Sequence, residues 1–277
     1  DRVFCHDRSW LVSPMKLATP PVVAIIAGND PSGGAGIAAD IQAVSALGCH
    51  PAPVLTALTV QDTVNAWRVD PAAPELVTEQ AQAVFADLPV KAVKIGLLPT
   101  AAIAEAVAEL LTPHRHIPIV LDPVLVAAGG ADLAEAALVE VLLERLLPLA
   151  TVATPNALEI RRLGGATGNR AARAAALLDR GCRWVLVKGA DEDTPGVENV
   201  LFGEGFETTY RWRRLPESYH GSGCTLASAI AALLARGQAV PVAVQDAQRY
   251  TDEALREGYR PGGGQWIPRR LRLAPEA

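Results

Sequence analysis

The segment Val22-Val-Ala-Ile-Ile-Ala27 is an unbroken apolar run that stops at a glycine-rich turn, Gly28-Asn29-Asp30-Pro31-Ser32-Gly33-Gly34-Ala35-Gly36. An apolar run without alternation fits a strand buried on both faces, the mark of a parallel sheet covered by helices. Past the turn, Ile37, Ile41, Val44 and Leu47 recur at helical spacing. The same order repeats along the chain. Further strands are expected over residues 54–60, 90–97, 117–121, 151–154 and 184–188, with amphipathic helices over 74–87, 100–111, 132–147 and 169–180. Residues 200–202 and 206–212 read as an edge hairpin, 240–258 as a last helix and 260–277 as a polar tail. The alternation predicts an α/β fold, a mostly parallel central sheet with helices on both faces.

Composition narrows the function classes. Of 277 residues half are hydrophobic and a fifth charged, and the net charge is −5 without a basic stripe, so nucleic acid is not an expected partner. Apolar segments are interrupted by Pro, Gly or charge well short of a membrane span. Cys5, Cys49, Cys182 and Cys224 are scattered without metal-ligand spacing, which predicts a reduced thiol complement and a cytoplasmic setting. Residues 1–14 differ in character from the rest of the chain, and the only methionine is Met15. We expect 1–14 to be a non-native or disordered leader and 15–277 a single domain, since no linker or repeat divides them.

A second glycine cluster lies far downstream. His220-Gly221-Ser222-Gly223-Cys224-Thr225-Leu226 leads straight into an apolar helical stretch. The unpaired N–H groups of a helix start carry the positive end of its dipole, and glycines let an anion approach them. Two such loops suggest two ends of one site. In open α/β sheets ligands bind beyond the carboxyl ends of the strands. Polar residues recur at those ends: Asn29 and Asp30, Gln61 and Asp62, Asp122, Asn156 and Glu159, Lys188.

Several chemistries compete for these residues. No GxxxxGK[ST] motif is present, so a P-loop is excluded. Gly34-Ala-Gly36-Ile-Ala-Ala39 fits a dinucleotide fingerprint only loosely, because six residues separate its first glycine from the strand. Cys224, at a helix start with His220 four residues upstream, suits a thiol nucleophile, although buried cysteines more often serve as small hydrophobes. With Pro155 at a first-turn position, Asn156 and Glu159 would share the first turn of a helix. There they serve either as caps or as holders of the waters of a Mg²⁺ ion. Lys188 is either a snorkelling side chain or a counter-charge for phosphates.

In combination, the runs Ala27–Ile37, Lys94-Ile-Gly96, Leu121-Asp-Pro-Val124, Thr154-Pro-Asn156 with Glu159, Val187-Lys-Gly189 and His220–Thr225 resemble hydroxymethylpyrimidine/phosphomethylpyrimidine kinase. That family is the thiamin-biosynthesis branch of the ribokinase superfamily. The resemblance implies a ribokinase-like fold, a homodimer, and ATP with Mg²⁺ as cofactors. It also implies phosphorylation of 4-amino-5-hydroxymethyl-2-methylpyrimidine and then of its monophosphate. Residue by residue, it places Gln61 and Asp40 on the pyrimidine, with Gly28 and Asp30 close by. Lys188 falls against the ATP phosphates, with Asn156, Glu159 and Thr225 on the nucleotide side and Asn156 and Glu159 near Mg²⁺. The amides of Gly221, Ser222, Gly223 and Cys224 form the hole for the transferred phosphoryl group. Cys224 stands where sugar-kinase relatives carry an aspartate base, and it is expected to orient more than to abstract. The flap Val126-Ala-Ala-Gly-Gly130 lacks the lysine and serine common in the family, which bears on the second phosphorylation. Ala127 and Ala128 replace the second cysteine typical of relatives that also phosphorylate pyridoxal. The alternatives kept open are a pyridoxal kinase of the same fold and a catalytically weak pyrimidine-binding sensor.

Overall fold

The computed structural model describes residues 19–125 and 135–271. The expected leader and the flap at 126–130 lie outside the described residues. The remainder is built on one nine-stranded sheet of order β3-β2-β1-β4-β5-β6-β7-β8-β9. The interior strand β1 (Val22–Asn29) pairs in parallel with β2 (His50–Gln61) and β4 (Val90–Ile95). Parallel pairing continues through β5 (Ile119–Leu121), β6 (Val152–Ala153) and β7 (Trp184–Val187). The outer strands are antiparallel: β3 (Ala66–Pro71) on β2, then β8 (Gly196–Gly203) and β9 (Phe206–Arg213) beyond β7.

The unalternating strands are explained by two cores. Along β1, Val22, Ala24 and Ile26 face one hydrophobic cluster, and Val23, Ile25 and Ala27 face the other. The first cluster is closed by α2 (Pro74–Asp87), α3 (Ala101–Leu111), α4 (Ala136–Val141), α5 (Ala157–Gly164) and α6 (Arg170–Leu178). The second is closed by α1 (Gly36–Ala46), α7 (Ser222–Ala235) and α8 (Val240–Arg256). Every residue of α7 from Thr225 to Leu234 is buried, because the helix lies against the sheet and is flanked by α1 and α8. A helix apolar all round is stable only in such a place.

Four expectations are corrected. Strand β3 was not anticipated; none of its residues is buried, so it lacks the alternation that marks a half-buried strand. The first residues of the expected helices at 100 and 169 are caps: Thr100 and Asn169 accept from Ile103 N and Ala172 N. Asn156 is likewise the N-cap of α5 rather than a first-turn residue. The expected polar tail is largely ordered packing. Tyr259 pairs with Ile267, Trp266 pairs with Tyr219, and Arg270 is only 1% exposed.

Candidate functional site

The carboxyl ends of β1, β4, β5, β6 and β7 share one edge of the sheet, and the residues just beyond them meet there. After β1, Asp30 organises the first glycine loop. Its Oδ1 accepts from Ser32 N at 2.8 Å, and its Oδ2 accepts from Ser32 Oγ at 2.9 Å and Ala35 N at 2.8 Å. Burial would push this carboxyl up, but its bonds to His220, Ser32 and Ala35 outweigh that and hold it below the usual range. Gly36 lets the loop close on the strand: a Cβ there would lie 2.4 Å from the carbonyl of Gly28.

The second loop comes from the far end of the chain and rests on the first. Gly221 caps α7 in the left-handed region, φ 78°, and a Cβ on it would fall 1.9 Å from the Gly34 carbonyl oxygen. Next to it His220 Nε2 lies 2.9 Å from Asp30 Oδ2 and 2.8 Å from Gln61 Nε2. An ionised Asp30 requires a proton on Nε2, and that nitrogen then cannot accept from Gln61. A proton on Nε2 therefore favours the Gln61 amide turned over from this arrangement, with its oxygen toward the imidazole and its NH₂ toward the cavity. Among the described residues, the buried Nδ1 of His220 has no hydrogen-bond partner.

Two cavities meet at the start of α7. The smaller, about 240 Å³, is lined by Gly28, Asp30, Gln61, Lys94, His220 and Cys224, and farther along by Asp122, Asn156, Glu159 and Lys188. The larger, about 540 Å³, is lined by Asp191, Asn199, Trp212, Arg213, Arg214, Leu226 and Gln248 among others. Lys188, Ser222, Gly223 and Tyr219 belong to both walls. A helix N-terminus and an ammonium therefore stand at the junction.

Charges alternate beneath that junction. Lys188 Nζ donates to Asp122 Oδ1 at 2.8 Å, and Thr154 Oγ1 donates to the same oxygen at 2.8 Å. Burial pushes Asp122 up, but Lys188 and Lys94 prevail and hold it below its ordinary value. Lys188 is held above its own, since Asp122 and Glu159 outweigh the burial that would discharge it. Glu159 is different. Burial, with Asp122 adding to it, pushes it up to about 7 against the opposing pull of Lys188. It also closes a capping box: Asn156 Oδ1 accepts from Leu158 N and Glu159 N, and Glu159 Oε2 accepts from Asn156 N at 2.8 Å.

Most of the anticipated residues come together here, two of them in unanticipated roles. Asp40 is fully buried behind the wall, accepting from Lys94 Nζ and Ser228 Oγ at 2.7 Å each; it is Lys94 that reaches the cavity. Thr225 is also buried, donating to the Gly221 carbonyl at 2.7 Å and accepting from Arg270 Nε at 2.8 Å. Burial raises the Cys224 thiol above its ordinary value despite the nearby Lys94 ammonium. His220 bonds Asp30 and Gln61, not Cys224, so it does not form a thiol–imidazole pair. Lys94 and Asp122 stood in the quoted motifs without a role. Arg270 carried no local signal at all.

Known proteins supply an independent comparison. Residues 30–268 match the family model described as phosphomethylpyrimidine kinase. A hydroxymethylpyrimidine/phosphomethylpyrimidine kinase of Streptomyces coelicolor is 43% identical over 266 residues, 92% of this chain and 96% of that protein. A thiamine biosynthesis bifunctional protein of Geobacter sulfurreducens is 43% identical over 239 residues, 84% of this chain and 49% of that one. Among solved structures, a phosphomethylpyrimidine kinase from Clostridium difficile is 33% identical with a TM-score of 0.74, covering 86% of this chain and all of its own (100%). An ADP complex of Bacillus subtilis pyridoxal kinase is 26% identical with a TM-score of 0.82, covering 91% and 98%.

Proposed function

The chain belongs to the phosphomethylpyrimidine kinase family and has its ribokinase-like fold, and on that premise we propose that it phosphorylates 4-amino-5-hydroxymethyl-2-methylpyrimidine and its monophosphate with ATP. The observation that carries the proposal is the meeting of two cavities at the N-terminus of α7, where Lys188, Ser222 and Gly223 line both. A phosphoryl group passing between two bound molecules needs one anion-stabilising wall common to both.

The acceptor occupies the smaller cavity. The NH₂ of Gln61, oriented by His220 and Asp30, donates to a ring nitrogen of the pyrimidine, and the hydroxymethyl group lies toward Cys224 and Gly223. The nucleotide occupies the larger cavity, with its terminal phosphate at Lys188. The acceptor oxygen forms the new P–O bond as the bond from the γ-phosphorus to the bridging oxygen of ADP breaks. Charge on the moving phosphoryl group is met by the Ser222, Gly223 and Cys224 amides and by the Lys188 ammonium. A loose transition state asks little of a base. Cys224, a protonated thiol at neutral pH, orients the hydroxyl, and the proton leaves with the phosphate oxygens.

Glu159 fits a role near Mg²⁺. Buried beside Asp122 and raised to about 7, it is a carboxylate whose ionisation a cation would favour. Two carboxylates with room for phosphate oxygens and water suit magnesium, which keeps part of its hydration. Asn156, its carbonyl turned back to cap α5, supports Glu159 from behind. The ion would supply charge neutralisation between the phosphates. Homodimerisation and a cytoplasmic setting complete the reading. Leu58 and Trp67, 59% and 62% exposed on the β2–β3 hairpin, offer an apolar surface for a second copy.

Pyridoxal kinases superpose well on this chain, so the acceptor is the point to test. ADP release should be measured with Mg-ATP and the hydroxymethylpyrimidine, its monophosphate or pyridoxal in parallel. The proposal expects kcat/KM highest on the two pyrimidines. Turnover on pyridoxal alone would reassign the substrate, and silence on all three would indicate a binding protein.

A further inference from the structure

Arg270 lies one residue before the end of the described residues and is among the largest side chains that are fully buried, at 1% exposure. A guanidinium so placed is ordinarily paired with a carboxylate. Among the described residues Arg270 has no ion pair. Its donors go instead to neutral oxygens. Nε donates to Thr225 Oγ1 at 2.8 Å, and Nη1 to Gln42 Oε1 at 3.3 Å and the Gly33 carbonyl at 3.5 Å. Nη2 donates to the Gly34 carbonyl and, at 3.5 Å, to the Gly221 carbonyl.

These acceptors are not scattered. Gly33 and Gly34 belong to the first glycine loop, and Gly221 and Thr225 to the start of α7. One planar fork thus bridges the two loops that come together from opposite ends of the sequence.

The bridge also sets which way the peptide groups face. In a trans peptide the C=O and the following N–H point in opposite directions. Holding the Gly34 carbonyl aims the Ala35 N–H at Asp30 Oδ2, which it reaches at 2.8 Å. Asp30 in turn holds His220, and His220 holds Gln61. Holding the Gly221 carbonyl, with help from Thr225 N and Oγ1, turns the Ser222 N–H away from Arg270, toward the junction wall that Ser222 lines. We infer that Arg270 is a positioning residue that latches the acceptor-side loop to the anion-binding helix and so sets the distance between acceptor and phosphate. Its consequence for catalysis depends on the kinase reading above; the latch itself does not.

Both parts are tested with Arg270→Ala and Arg270→Lys in the full chain. Lysine keeps the charge but is a point donor that cannot span two carbonyls. Hydrogen exchange of the intact protein should show joint loss of protection at 33–35 and 221–225 in both variants, with millimolar guanidinium restoring it in Arg270→Ala. On the pyrimidine substrate kcat should fall by about 100-fold, the scale of an ångström misplacement, while KM for ATP moves little. Guanidinium should recover part of the Arg270→Ala turnover. If Arg270→Ala does not fold, Arg270→Lys alone decides. Loss of protection confined to 259–271, with kcat per folded molecule unchanged, would overturn the latch. Silence of the wild type on the pyrimidine would overturn the kinase reading instead, and the exchange result would still judge the latch.

Discussion

Gly221→Ala is the sharpest perturbation of the contact between the two loops. Two separate penalties are built into the position. The left-handed φ of 78° costs a side-chain-bearing residue about 1–2 kcal/mol. The new Cβ would also stand 1.9 Å from the Gly34 oxygen and 2.7 Å from Arg270 Nη2, where real contacts stay beyond 3.0 Å. The loops must therefore separate by roughly 1 Å, a misplacement that costs on the order of 10²-fold in rate when it lies between reacting groups. Gly237 supplies the control from the other end of α7. Its φ is 86° and none of the described residues comes within 4 Å of a Cβ built on it, so Gly237→Ala bears the backbone cost without the clash. Urea denaturation and steady-state turnover on both variants separate the two effects. Gly237→Ala should lose about 1–2 kcal/mol and keep its kcat. Gly221→Ala should lose more stability and about 100-fold in kcat. Equal stability and equal kcat in the two variants would refute the claim that the loop contact positions the reaction.

Three further outcomes arise from the charges of the site. The Glu159 carboxyl is raised from 4.5 to about 7, so the stability of its neutral form is complete below pH 4.5 and is lost as pH rises through 7. In metal-free protein Glu159→Gln, which can still accept the capping bond, should match wild type near pH 4, apart from any pH-independent offset. By pH 8 it should gain on the order of 3 kcal/mol relative to wild type. A difference constant with pH in urea melts would show that Glu159 is not raised. Lys188→Met leaves Asp122 buried without its nearest cation, so we expect about 3–5 kcal/mol of destabilisation and roughly 10³-fold lower kcat/KM. Turnover within tenfold of wild type in the folded variant would remove Lys188 from the phosphate. Cys224→Ser should stay within about tenfold of wild-type kcat, since the thiol is protonated below pH 9. Complete loss of turnover with unchanged ATP binding would make Cys224 a true base.

What the sequence disclosed and what it hid divide along the range of the signals. Strand β1, the two glycine loops and α7 were readable because each is specified by contiguous residues: an apolar run, glycines at turns, a helix without charge. Lys188 and Asp122 were visible as polar residues at strand ends. Strand β3 was not, because a ribbon with no buried residue needs no pattern. Asp40 was placed on the pyrimidine by the family resemblance alone, and in the structure its helix position turns it inward to Lys94. Asn156 was two positions out of frame, since the helix begins at Ala157 and not at Pro155; helix ends commonly shift so without the cap geometry. Arg270 was hidden most completely. Its partners lie 45 to 237 residues away, and nothing near it distinguishes a buried arginine from a solvated one.

The central claim is that one shared wall serves a pyrimidine acceptor and ATP in two successive transfers. Phosphorus NMR of the protein with Mg-ATP and the hydroxymethylpyrimidine in one tube tests it most directly. We predict a phosphate-ester signal that rises first and then gives way to diphosphate signals, with ADP growing in step with both. ATP left intact, or hydrolysed to free phosphate with no ester formed, would contradict it.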